Sequence, residues 1–175
     1  DLPIVSGNSV CTAAGHGDGF RCYLNGQETQ AIQSANYKSG VSYASTRFLL
    51  SYDGFFFGPR VSLGVRAGYA LTSTKPKFMP FHAEGRVTLW LVPMDRPSVK
   101  PFLHAGGGME QINASLGSIP AQVNSSSSGY DAKLATYKVM GTSFAGGGLG
   151  LMIPTGSSGG LTLDLAVNYL FPSKT

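Results

Sequence analysis

Three stretches of strict two-residue alternation constrain this chain more than any other feature. From Val61, apolar residues fall at Val61, Leu63, Val65, Ala67, Tyr69 and Leu71, separated by Ser62, Gly64, Arg66, Gly68 and Ala70. A second stretch sets Phe81, Ala83, Val87, Leu89 and Leu91 against His82, Glu84, Arg86 and Thr88. In the third, Leu161, Leu163, Leu165, Val167, Tyr169 and Phe171 alternate with Thr162, Asp164, Ala166 and Asn168. Successive side chains of a strand point to opposite faces, so this is the period of a strand and not of a helix. Three weaker stretches follow the same rule. Residues 41–53 place Phe48, Leu50 and Tyr52 opposite Arg47, Ser51 and Asp53, with Leu49 breaking the pattern. Residues 102–112 set Leu103, Ala105 and Met109 against His104 and Glu110, and residues 137–153 carry Leu149, Leu151 and Ile153 in one phase. Six strands are expected between residues 41 and 171, in an all-β chain.

Charge separates by phase. Arg66, Glu84, Arg86 and Asp164 all fall on the less apolar face of the firm stretches, and Arg47, Asp53, Glu110 and Lys138 do so in the weaker ones. A water-exposed sandwich would show abundant charge on its outer faces. Here charged residues are only 13% of the chain, and the polar phase is small and rich in the 24 glycines. A lumen just wide enough for side chains, as in an eight-stranded barrel, asks for such a phase. The apolar phase then faces lipid, with aromatic girdles at the two interfaces. Tyr52, Phe55, Phe56, Phe57, Tyr69, Phe81, Tyr137, Tyr169 and Phe171 sit at or near strand ends as girdle residues. The expected fold is an antiparallel up-and-down transmembrane β-barrel of eight strands, the first and last incomplete or absent in this chain. No run of 18 apolar residues is present, so a spanning helix is excluded. Aromatic content of 11% argues against disorder. The thirteen Lys and Arg are scattered, which argues against a nucleic-acid partner.

Connections alternate in length. The turns at 54–59, 92–99 and 154–160 are short and read as periplasmic, whereas 72–80 and 113–136 are longer and read as extracellular. The long loop 113–136 holds a flexible tract at 125–129. Residues 7–40 form a further extracellular loop, and the whole of 1–175 reads as one domain. Residues 2–5 read as the tail of an incoming strand and residues 172–175 as the start of a loop, so the chain is expected to be a portion of a longer one. A competing reading makes 163–171 the closing strand and inverts every loop side. Cys11 and Cys22 lie in the polar segment VCTAAGHGDGFRCYLNG. A disulfide, implying export, is favoured over a metal site, since only His16 and Asp18 stand near as further ligands. No basic and apolar leader pattern begins at Asp1.

The segments RVSLGVRAGYAL, FMPFHAEGRVTLWL, KPFLHAGGGMEQINA and GTSFAGGGLGLMIP resemble the small outer-membrane β-barrel proteins of Gram-negative bacteria, the OmpA/OmpX-like barrel class, and especially a myxobacterial group. The resemblance spans roughly residues 40–172, and the cysteine segment is similar to that group's first outer loop. It implies eight strands, the bacterial outer membrane and no established activity.

His82, Glu84 and Arg86 share one inward face, and His104 and Glu110 share the next. Together with Arg47, Asp53, Arg66 and Asp164 they read as an interior polar network, because buried charges need partners. A hydrolytic site would need a serine, a histidine and an orienting acid in reach of one another, and Ser62 and Ser143 have no neighbouring histidine. The glycine runs at 106–108 and 146–148 open no helix, so they are not phosphate loops. They read as steric relief on curved strands. Trp90 is read as plugging the lumen. Asn113 and Asn124 match glycosylation acceptors, to which a bacterial exported protein gives little weight. No catalytic residue, cofactor or metal is expected. The expected function is a non-enzymatic outer-membrane barrel, structural or partner-binding, in contact with outer-membrane lipid and with envelope proteins through its loops or Gly-rich strands. A narrow passive pore or small-ligand barrel is the alternative, and a soluble lipocalin-like barrel a lesser one.

Overall fold

Alternation at this density makes sheets, and the computed structural model of the chain is built from little else. It describes residues 1–71, 76–95, 98–123, 130–156 and 159–171, with the side chains of Phe55, Tyr130 and Asp131 left out. In chain order the elements are β1 (Ile4–Gly7), α1 (Ala13–Gly17), β2 (Phe20–Leu24), β3 (Gln27–Glu28), β4 (Gln33–Ser34), β5 (Tyr37–Val41) and β6 (Arg47–Phe57). These are followed by β7 (Val61–Ala70), β8 (Phe81–Trp90), β9 (Lys100–Met109), β10 (Ile112–Val123), β11 (Tyr130–Met140), β12 (Ser143–Pro154) and β13 (Gly160–Phe171). Among the described residues no helix is long and apolar enough to cross a membrane.

Six strands form one antiparallel sheet in the order β13-β12-β9-β8-β7-β6, curled into a half-barrel. The curl brings Arg66 on β7 within 2.6 Å of Asp164 on β13, four strands away. At one end lie the junctions between β6 and β7, between β8 and β9, and between β12 and β13. At the other end β9 does not turn directly into β12. The polypeptide leaves as the long hairpin β10–β11 and re-enters at Ser143.

That hairpin corrects the sequence reading of 113–136 as a loop. Its strands pair from Ile112↔Met140 to Val123↔Tyr130 and belong to a second sheet, β3-β2-β11-β10-β4. The tract 125–129 and the segment 172–175 lie outside the described residues. The expected strand at 102–112 stops at Met109, and the one at 137–153 breaks at Gly141, whose φ of 75° turns the backbone out of line. The expected strand at 41–53 is likewise split, between β5 and β6.

The aliphatic core lies in this second layer, the cap, rather than in the curled sheet. Val10, Ala114 and Leu134 are sealed completely, with Val5, Phe20, Ile112 and Ile119 around them. Cys11 and Cys22 form the expected disulfide, their Cα atoms 5.6 Å apart, and Cys22 registers against Thr136 of β11. The Thr136 hydroxyl lies 3.5 Å from each sulfur. The bridge closes a loop within the 7–40 segment and fixes β2, the strand of that segment that pairs with β11 of the hairpin. Cross-linking a loop of this size stabilises by about 3 kcal/mol. Replacing both cysteines by serine is expected to speed amide exchange in β2, β10 and β11 while β7 and β8 keep their protection. Equal acceleration in both sheets would refute a separately clamped cap.

Candidate functional site

Phase decides what each strand of the curled sheet puts where. On β8 the even residues His82, Glu84, Arg86, Thr88 and Trp90 are buried on the concave face, while Phe81, Val87 and Leu89 are exposed on the convex one. Charged side chains from the other strands join them, and the result is one connected set of ion pairs. Arg47 contacts Asp1 at 3.0 Å and Glu110 at 3.1 Å, and its Nη2 donates to the Gln111 carbonyl. Glu110 meets His82 Nδ1 at 2.9 Å, and His82 Nε2 stands 3.2 Å from Glu84. Arg66 links Glu84 to Asp164, and Asp164 also takes His104 Nε2 at 3.0 Å. Arg86 lies between Asp53 at 3.5 Å and Asp164 at 3.9 Å, with its guanidinium over the Phe102 ring. Trp90 Nε1 donates to Ser62 Oγ at 2.9 Å, and Ser62 donates to Asp53.

Three arginines and two histidines therefore face five carboxylates, and apart from Asp1 their side chains are mostly shielded from water. Stripping water from a charge costs several kcal/mol, and pairing is what offsets it. Both nitrogens of His82 are occupied by carboxylates, so neither is aimed at a hydroxyl. Arg86 Nε and Nη1 and His104 Nδ1 are buried without a hydrogen-bond partner among the described residues.

The glycines explain how so many long side chains fit. Nearly every large inward residue lies across from a glycine on the next strand: Arg86 from Gly64 and Gly106, His82 from Gly68, Glu84 from Gly108, and His104 from Gly148. A Cβ at Gly106 would stand 2.8 Å from Glu84 Oε1, and one at Gly148 would stand 2.8 Å from His104 Nε2. Gly150 likewise leaves room for the Phe102 ring. The runs at 106–108 and 146–148 are thus the floor on which the charges lie. Arg66 and Glu84, which face each other directly as an ion pair, and Trp90 and Phe102, whose rings meet, are exceptions.

The convex face is the chemical opposite. Leu103, Leu149 and Leu165 stand side by side across β9, β12 and β13, all exposed. Phe48, Leu50, Leu63, Val65, Val87, Leu151 and Leu163 extend the same apolar surface. At the cap end Tyr69 registers with Phe81, and Tyr169 packs edge-on against Phe171 with ring centroids 5.2 Å apart. Phe56 and Phe57 are exposed at the opposite end of β6, and Tyr52 is exposed at its middle. The side chain of Phe55 lies outside the described residues. Tyr137 is not in the curled sheet. It belongs to β11 and packs edge-on against Tyr23 in the cap, because the break at Gly141 separates it from β12.

Sequence reasoning missed Asp1 and Lys100 on the concave side, and it put Ser62 and Thr88 on the polar phase without joining them to the network. Lys100 is buried there. It shares the even phase of Phe102 and His104, so carrying that phase two residues back would have found it. Lys138 does not join the concave network. It sits 4.4 Å over the Phe20 ring in the cap, where burial lowers its ammonium below the ordinary lysine range against the opposing pull of Asp18. Burial, helped by Glu28, raises the nearby Tyr23 phenol.

Comparison with protein-family models, with curated proteins and with solved structures finds no match.

Proposed function

We propose that this protein is a membrane-spanning β-barrel of the bacterial outer membrane, non-enzymatic, whose disulfide-clamped cap is its partner-facing surface. One observation carries the reading. Every charged residue of the six curled strands lies on the concave side, and the convex side is an unbroken exposed apolar surface. Soluble monomers rarely expose more than a few hundred Å² of contiguous apolar area, whereas lipid requires it. Strands of 10 to 12 residues match the length that a tilted transmembrane strand needs.

Eight strands is the count that best suits the curl. An arginine and an aspartate four strands apart meet head to head, as residues on opposite walls of a narrow eight-stranded ring would. Free sheet edges are not tolerated in hydrocarbon, so β6 and β13 each need a partner strand. The concave face is filled with ion pairs and the Trp90–Phe102 ring contact, which argues for a plugged lumen rather than a pore. Among the described residues the concave Ser62 hydroxyl bonds to Trp90 and Asp53 rather than to a histidine, and the cap offers the outer surface.

The test is extraction and conductance. Protein expressed with an export signal should stay in outer-membrane pellets through a carbonate wash and leave them only with detergent. In planar bilayers it should give no steady single-channel current. Release by carbonate alone would overturn the membrane reading, and clear unitary conductance would favour the pore.

A further inference from the structure

The outward face of the cap sheet is hollowed at Ala135. Inter-strand register sets Ser118 of β10, Ala135 of β11 and Tyr23 of β2 in one row across three strands. Lys133 and Tyr137 stand two residues before and after Ala135 and therefore share its face. The small residue lies in the middle with longer ones around it, which leaves a depression of about 280 Å³. Two local irregularities build its rim. The bulge between Ser115 and Gly117 switches the parity of β10, so that Ser118 points outward while Ile119 is buried. On the β2 side the wall is the two-residue turn Asn25-Gly26, with φ of 50° and 80°, that joins β2 to β3. Tyr23 and Tyr137 meet edge-on, with ring centroids 5.9 Å apart, and both rings line the depression.

Its polar side chains are uncommitted. Among the described residues, the side chains of Tyr23, Tyr137, Asn25, Ser118 and Lys133 make no hydrogen bond or ion pair with the protein. The larger cleft around Arg21 and Lys138, about 470 Å³, differs in this respect. There Arg21 is taken by the His16 and Phe20 carbonyls and by Glu28, and Lys138 by the Ser6 carbonyl.

Free donors and acceptors around two aromatic rings suit one kind of ligand. A pyranose has C–H faces that lie against an aromatic ring and a rim of hydroxyls that need partners. Tyrosine answers both with an apolar body and a polar tip, at little cost in side-chain freedom. A few converging polar groups on an apolar lining are also the usual make-up of a small-ligand site. Lys133 is the charged side chain of this lining, and an ammonium bonds most strongly to an anionic oxygen.

We propose that this depression binds a sugar unit bearing a carboxylate or phosphate, with the sugar ring against Tyr23 and Tyr137 and the acidic group at Lys133. The inference rests on the reading of the cap as the partner-facing surface and adds the chemistry of the partner, an acidic glycan.

An array of immobilised oligosaccharides tests it, with neutral, uronic-acid-containing and phosphorylated members. The full chain is presented to it in labelled phosphatidylcholine vesicles. The wild-type protein is expected to hold acidic members on the order of tenfold more tightly than their neutral counterparts, the worth of one charge-assisted hydrogen bond. Lys133→Gln should remove that preference. Ala135→Trp should fill the hollow and abolish binding to both kinds, with amide protection in β2, β10 and β11 retained because residue 135 faces outward. Should that protection be lost, Lys133→Gln alone decides. Absence of array binding by the wild-type protein overturns the inference, and so does binding that a folded Ala135→Trp protein keeps. An equal hold on acidic and neutral members overturns it as well. Failure of the protein to enter the vesicles overturns the barrel reading instead, and the same array then reads the hollow on the protein in solution.

Discussion

Leu149→Arg is expected to destabilise the folded, lipid-inserted protein by about 2–4 kcal/mol, the cost of a cation near the middle of a barrel's lipid face. Leu149 lies midway along β12 with Leu103 and Leu165 on either side, and 58% of its surface is exposed. The sign of the result discriminates strongly. On a sheet facing water, an arginine in place of an exposed leucine would change stability by less than about 0.5 kcal/mol and improve solubility. Ser118→Arg in the cap is the matching control, since Ser118 is also exposed on a strand but lies outside the curled sheet. Unfolding by urea in lipid vesicles reads both. A penalty at residue 149 and none at 118 supports lipid contact, and equal small effects would remove its main support.

Arg66→Met should cost a similar amount, about 3–5 kcal/mol, for a different reason. Arg66 is the link between Glu84 at 3.6 Å and Asp164 at 2.6 Å, and all three side chains are largely closed to water. Methionine fills much of the same volume but leaves two carboxylates facing each other without the intervening cation. Arg66→Lys keeps the charge and loses the fork that reaches both partners, so an intermediate loss is expected. The denaturation midpoint checks the series. A loss below about 1 kcal/mol for Arg66→Met would mean that water fills the concave face and screens these charges.

Much of the curled sheet could be read in the sequence because its signal is a phase. Arg66, Glu84, Arg86 and Asp164 share a parity that puts them on one face whatever the strand order, and the structure gathers them on the concave side. The cap was illegible for the same reason turned around. Along β10 the buried residues are Ile112, Asn113 and Ala114 before Gly117 but Ile119, Ala121 and Val123 after it. A bulge between Ser115 and Gly117 shifts the register by one, so no single period runs through the segment. With Pro120 and two serines added, a strand of twelve residues looks like a loop. The glycine runs were legible as places of close approach. Which side chains approach them depends on inter-strand register, which no local pattern contains.

Asp164 gives the network an order in time. It is the single carboxylate that answers Arg66, Arg86 and His104, which come from β7, β8 and β9, yet it sits on β13. Ninety-eight residues separate it from Arg66. Until β13 docks, among the described residues Arg66 on β7 has only Glu84 and Arg86 on β8 only Asp53 as a carboxylate partner. Docking of the last strand completes the pairing, and a contact of such long range is expected to make that closure the slow step of folding.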